Sequence, residues 1–208
     1  MSKEIELAFF CEVTEPAGYA EAIAVEDHLQ YEYRPPADEN GNRRGRVRIR
    51  MTKKNGIVSY TQTIKTPTDK DSKLGDVEET IEISESFFET WRKAFCSSGQ
   101  KKIRYVYLAE QVILKVDQNS ITMPKVKFEV DRFYNAEGKL SQWVKVDIEI
   151  QDIVDYLKDG EADIKNAKFD IDFSNLPLGI KRVVSMVTED PDERAGIDNF
   201  FRVFSVPA

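Results

Sequence analysis

The sequence predicts an α+β protein that is mainly antiparallel β, with about eight strands in a closed or nearly closed barrel and a few flanking helices. Three observations lead there. Most of the chain alternates apolar and polar residues with period two, the signature of half-buried strands. Turn signals such as Asn40-Gly41, Asn55-Gly56 and Asn135-Ala136-Glu137-Gly138 separate the alternating runs. Helical periodicity is confined to short stretches. Closing the sheet would remove the exposed edges that so many strands otherwise present.

Taken in order, residues 3–13 alternate as a strand, 17–27 read as a weak helix, and Leu29 to Tyr33 as a short strand. Pro35-Pro36 opens a polar loop. Strands over 45–53 and 57–65 follow, joined by a hairpin at Lys54-Asn55-Gly56. A charged loop, 66–75, leads to an acidic strand at 76–83. Ser84 suits a helix N-cap, and Phe87, Phe88, Trp91 and Phe95 are spaced to pack that helix on a sheet. Strand-like runs then cover 100–108, 111–117, 124–133 and 142–150. Residues 151–158 read as a short helix, 167–173 and 180–187 as strands, and Asp192 to Phe204 as a closing helix.

Composition bounds the function. The chain has 208 residues, 41% of them hydrophobic, with 12 Phe, 8 Tyr and 2 Trp, enough for one packed domain over 1–208. A net charge of −7 argues against binding duplex DNA. Cys11 and Cys96 are far apart, fit no metal-ligand spacing, and read as reduced thiols of a cytoplasmic protein. There is no apolar leader and no run long enough for a membrane helix. His28, the only histidine, reads as a surface or loop residue, and a His-based zinc site or a Ser-His-Asp relay is nearly excluded. No phosphate-binding glycine loop is present. Cys11, after Phe9 and Phe10, reads as core, and Tyr31 and Tyr33 as edge-strand packing. Asp170 and Asp172 read equally well as site or as solvated surface.

The strands are also segregated by charge. Glu4-Ile5-Glu6, Glu78-Glu79-Thr80-Ile81-Glu82 and Asp147-Ile148-Glu149 are acidic; Arg46-Val47-Arg48-Ile49-Arg50, Lys102-Ile103-Arg104 and Lys125-Val126-Lys127 are basic. Residues at i and i+2 share a face, so each segment joins a buriable face to one of like charges. A solvated sheet face would usually mix signs along a strand. Like charges side by side are relieved by opposite-sign neighbours or by a charged ligand.

In order, these segments resemble the CYTH superfamily, the triphosphate tunnel metalloenzymes, which includes class IV adenylyl cyclases and thiamine, inorganic and RNA triphosphatases. Glu4-Ile5-Glu6-Leu7-Ala8 stands where the family has Glu-x-Glu-x-Lys. Arg48-Ile49-Arg50 and Thr63-Ile64-Lys65 match its Arg-x-Arg and Thr-x-Lys strands. Asp76-Val77-Glu78-Glu79-Thr80 partly matches Arg-x-Glu-x-Glu before the aromatic helix. Lys102-Ile103-Arg104-Tyr105, Glu129-Val130-Asp131-Arg132-Phe133, Asp147-Ile148-Glu149 and Val187-Thr188-Glu189-Asp190 complete the order.

The resemblance implies a charged tunnel and a divalent-metal-dependent phosphohydrolase acting on a triphosphate-bearing small molecule or nucleotide. Arg48, Arg50, Lys65, Lys102, Arg104 and Arg182 would contact phosphates. Glu4, Glu6, Glu78, Asp147 and Glu149 would hold Mg²⁺ or Mn²⁺, and Glu4, Glu6, Lys65 and Glu149 would carry catalysis. Ala8, Asp76 and Thr80 depart from the family pattern, with Glu82 and Lys73 as nearby substitutes. A nucleotide- or polyphosphate-binding protein with weak or no turnover, and a class IV cyclase, are the alternatives. Oligomeric state is left open, a homodimer among the options.

Overall fold

The computed structural model describes residues 5–39, 45–67, 76–116, 119–150, 169–186 and 188–208. The helix expected over 151–158 lies outside them, as does Lys73. The fold is mainly antiparallel β with few helices. Its strands fall on a hydrogen-bonded path that begins at Ile180–Ser185 (β10) and ends at Asp76–Glu82 (β5). No pairing among the described residues joins those two ends, so hydrogen bonds do not close the sheet. Strands Phe169–Ile171 (β9) and Val206–Pro207 (β11) pair beside the path, so the described residues form an 11-stranded sheet where about eight strands are expected.

The chain forms two compact units. The first contains residues 1–24, 105–131 and 142–197. In it Ile5–Val13 (β1) lies between β10 and Leu140–Ile150 (β8). The register puts Phe9 opposite Val146 and Cys11 opposite Val144. All four are buried, with Ile148, Phe128 and Val130. Phe173 meets Phe9 edge-on at 5.4 Å. Burial pushes the Cys11 thiol up to about 12, so it is an apolar core residue and not a nucleophile.

The second unit contains residues 25–104, 132–141 and 198–208. Ala24–Tyr33 (β2), Arg46–Lys54 (β3), Ile57–Pro67 (β4) and β5 run antiparallel in that order. The β3–β4 hairpin turns on Asn55 and Gly56, at φ 51° and 81°, the left-handed pair that a two-residue turn of this type requires. Glu85–Phe95 (α1) crosses the apolar face of these strands. Its Phe88 is buried against Tyr31, at 5.9 Å between ring centroids, and Tyr60, at 5.4 Å. Ser84 caps the helix, its side-chain oxygen accepting from Phe87 N–H at 3.1 Å. Ser84→Ala is expected to cost about 1 kcal/mol in urea unfolding.

Two local readings are corrected. The weak helix over 17–27 is a 3-10 turn at Pro16–Glu21, and β2 starts at Ala24. The residues 25–33 alternate by two, and pairing with β3 overrides the local helix preference. The runs 100–108 and 111–117 are one strand, Ser98–Val116 (β6). Burial falls on Lys102 and Arg104, then on Tyr107 and Ala109, then on Val112 and Leu114, and this changing phase imitates a break. Gln111, at φ 54°, sits at the second change. The remaining strands are Asn119–Tyr134 (β7) and β8, and Pro191–Val203 (α2) is the closing helix.

Candidate functional site

The second unit gathers cations on one face because its register aligns them. Arg46 is paired with Lys65, Arg48 with Thr63 and Arg50 with Thr61 across β3 and β4. Lys65 is in turn paired with Glu78, and Thr63 with Thr80, across β4 and β5. On the other side of β3, Glu32 faces Arg48, Gln30 faces Arg50 and His28 faces Thr52. Gln30 extends the face to β6 by donating to Gln100 Oε1 at 3.0 Å, and Lys102 and Arg104 stand farther along β6. The alternate residues of the same strands, Tyr31, Ile49 and Met51, pack toward α1. Period two thus separates the cations from the apolar packing.

Lys65, Lys102 and Arg104 are 5%, 4% and 8% exposed. Glu78 answers two of the cations: one of its oxygens pairs closely with Lys65 Nζ, and the other lies 4.0 Å from Arg48. Arg50 donates to Gln30 Oε1 at 3.1 Å, and Arg46 lies 3.8 Å from Glu32. Lys102 Nζ sits 5.8 Å from the centre of the Phe133 ring. Arg48 Nε is buried with no hydrogen-bond partner among the described residues. Burial lowers the proton affinity of Arg48, Glu78 opposes that change, and Arg104 and Arg46 add to it. Gathering so many cations out of water is costly. An anion with several oxygens would offset that cost, most directly at the forked guanidinium groups.

Behind this row His28 is 2% exposed on β2, not in a loop or on the surface as its sequence neighbourhood suggests. Its Nε2 is 3.0 Å from Glu26 Oε2, and Lys54 Nζ donates to Glu26 Oε1 at 2.8 Å. These partners, His28 first, hold the Glu26 carboxyl down at about 2. Glu26, Gln30 and Glu32 join this face although nothing in the sequence singles them out. Their only signal is the i, i+2 alternation, which the weakly helical opening of the segment conceals.

The first unit holds a different set of positions. Glu6 is the register partner of Glu149, and Ala8 that of Asp147. Asp147 is buried, and its Oδ1 lies 2.5 Å from Lys145 Nζ. Glu129 pairs with Lys127 at 3.0 Å. Glu4 lies outside the described residues, as do the side chains of Glu6 and Glu149. Among the described residues no group of three or more His, Cys, Asp or Glu side chains could hold a metal ion. The register sets Glu6 and Glu149 directly opposite each other. Three carboxylates are also the hard oxygen donors that Mg²⁺ or Mn²⁺ takes. Arg182, at φ 43°, places its guanidinium 5.6 Å from the centre of the Trp143 ring. Asp172 accepts from Ser174 N–H at 2.8 Å, a local turn-shaping bond, while Asp170 lies within β9, accepts from Ile171 N–H at 2.9 Å and is 3.9 Å from Lys115 Nζ.

The structure therefore brings Arg48, Arg50, Lys65, Lys102, Arg104 and Glu78 together in one unit. It brings the positions of Glu6, Asp147 and Glu149 together in the other. Among the described residues no helix is long and apolar enough to cross a membrane.

No family model matches the chain, and no curated protein sequence matches it. Solved structures do. The PH1819 protein from Pyrococcus horikoshii OT3 is 21% identical, covering 70% of this chain and 76% of its own, with a TM-score of 0.41. The inorganic triphosphatase NE1496 is 23% identical over 72% of this chain and 75% of its own, with a TM-score of 0.38. HpAC1 from Hippeastrum, described as a putative adenylyl cyclase with a dominant triphosphatase activity, is 12% identical over 95% of this chain and 85% of its own, with a TM-score of 0.40.

Proposed function

We propose that this chain is a divergent CYTH-type enzyme that hydrolyses a triphosphate-bearing small molecule with the help of Mg²⁺ or Mn²⁺. The observation that carries the reading is the cationic face of the second unit, with Lys65, Lys102 and Arg104 withdrawn from water. A triphosphate is a compact polyanion of matching length and sign. Arg48 and Arg50 would grip its oxygens in pairs, and Lys65, Lys102 and Arg104 would spread charge along it. Together they would neutralise the charge that builds on the phosphoryl oxygens during transfer. The proposed metal ligands are Glu4, Glu6, Asp147 and Glu149 in the first unit and Glu78 in the second. When bound, the metal would polarise the phosphoryl group and lower the proton affinity of a water.

Purified protein with Mn²⁺ or Mg²⁺ should release phosphate from at least one of tripolyphosphate, a nucleoside triphosphate, thiamine triphosphate or 5′-triphosphate RNA. Release from none of them would refute the reading. Cyclic AMP formed from ATP would point instead to a cyclase.

Glu78 gives a sharper test, because it pairs with Lys65 and Arg48, which are proposed to hold phosphate. Glu78→Gln should tighten binding of tripolyphosphate in EDTA several-fold, since both cations lose an internal competitor. The same variant should lose metal-stimulated turnover. Calorimetry and a phosphate-release assay on one preparation would separate the two effects.

One observation favours a binder without turnover. Thr80 stands where the family has a second glutamate, and its hydroxyl is engaged with Thr63 at 3.0 Å. That reading predicts binding that is indifferent to EDTA and no product with any of these substrates.

A further inference from the structure

His28 is the only histidine in the chain, and the phosphate-binding scheme above does not use it. Its surroundings fix the state of the ring. An ionised carboxylate can only accept, so the 3.0 Å contact from Nε2 to Glu26 Oε2 places the ring hydrogen on Nε2. In the neutral ring Nδ1 then carries a lone pair. That atom is buried and has no hydrogen-bond partner among the described residues. A buried polar atom left this way is costly, and such atoms in folded proteins usually have a stated use.

The charged groups that act on the ring are Glu26 from its own strand, Arg50 from β3, and Lys102 and Arg104 from β6. Lys54 reaches it only through Glu26, and its register partner Thr52 is uncharged. Burial and the three cations lower its proton affinity, the Glu26 bond acting against them, so the ring stays neutral near pH 7. These cations include the ones proposed to grip phosphate. An anion placed on them would cancel the field that keeps His28 neutral.

We propose that His28 is an anion contact of the basic face: when a phosphate chain binds there, the imidazole takes one proton from solvent and donates Nδ1–H to a phosphate oxygen while Nε2–H stays on Glu26. This rests on the anion-binding reading of the face and adds a residue and a proton to it. The sign follows from linkage. Binding raises the proton affinity of the ring, so the added affinity for the anion is fully present below the free-ring midpoint and is lost as pH rises from there through the bound-state midpoint.

A single histidine makes the test direct. In the ¹⁵N-labelled chain of 208 residues, long-range proton–nitrogen spectra report one imidazole, whose nitrogen shifts give its tautomer and charge. A pH series would be recorded with EDTA, with and without saturating tripolyphosphate, and binding followed by calorimetry in the same buffers. The expected result is a neutral Nε2–H ring in the free protein and a midpoint at least about one pH unit higher in the complex. His28→Gln, which keeps a donor for Glu26, should bind tripolyphosphate with a flatter pH dependence than the unaltered chain. Calorimetric binding with an unmoved ring midpoint would overturn the role of His28 and leave the anion site standing. Absence of binding at any pH would overturn the anion site itself, and this inference with it. A purely structural histidine predicts a lower melting temperature for His28→Gln and an unchanged pH dependence of binding.

Discussion

Arg48→Met is expected to lower kcat/KM for tripolyphosphate by about 100-fold or more and to leave the melting temperature of the ligand-free protein unchanged or slightly higher. The two halves have separate causes. Arg48 lies centrally on the basic face, between Glu32 and Thr63 in register, with its Nε buried and without a hydrogen-bond partner among the described residues. A guanidinium held this way is already in place for a phosphate oxygen, so removing it takes away charge neutralisation where it is strongest. In the ligand-free protein the same group carries a desolvation cost, seen in its lowered proton affinity. Glu78 is not stranded by the change, because it keeps Lys65 and its side chain is 40% exposed. Methionine fills similar volume without charge. Initial rates with varied tripolyphosphate, beside thermal melts with and without it, measure both halves. A variant that loses activity and stability together would mark Arg48 as structural.

Phe88→Ala is the substitution with the largest expected effect on stability, a loss of about 3–5 kcal/mol in denaturant unfolding. The ring is 1% exposed and joins Tyr31, Ile49 and Tyr60 into the cluster that binds α1 to the strands. Leu29, Met51 and Trp91 pack around that cluster, so collapse into the cavity is limited. Since Ile49 lies between Arg48 and Arg50, loosening its support should also weaken tripolyphosphate binding. Phe87, on the same helix but 42% exposed, is the matched control, and Phe87→Ala should cost far less. Similar losses for the two would show that helix propensity, and not the buried contact, holds α1 in place.

The features most legible in the sequence were those set by local chemistry. Ser84 announced its helix through capping chemistry, Asn55-Gly56 its hairpin through left-handed backbone, and Arg48-Ile49-Arg50 its two faces through alternation. Each signal is complete within a few residues. The misreadings arose where distant pairing decides. Residues 25–33 look weakly helical alone and become a strand because β3 offers partners for Glu26 through Tyr33. His28 looked peripheral because a lone histidine near charged residues usually is. Its burial follows from strands β3 and β6, whose positions its neighbours do not encode. The candidate phosphate contacts were named from motif order, yet Lys65 engaging Glu78 and Thr63 engaging Thr80 are cross-strand events that only register reveals.

The Asn55-Gly56 turn has a consequence for how this chain can vary in length. Because it is only two residues long, it leaves β3 and β4 no slack, and Arg46 must meet Lys65 while Val47 meets Ile64. One residue inserted within β3 would carry part of the arginine row to the side where α1 packs and turn apolar side chains to the side that carries charge. The loop following Pro35-Pro36 is under no such constraint, since it does not set this alignment. Insertions and deletions should therefore be tolerated on the β2–β3 connection and selected against between Arg46 and Lys65, a boundary that random-insertion libraries scored for soluble expression would draw directly.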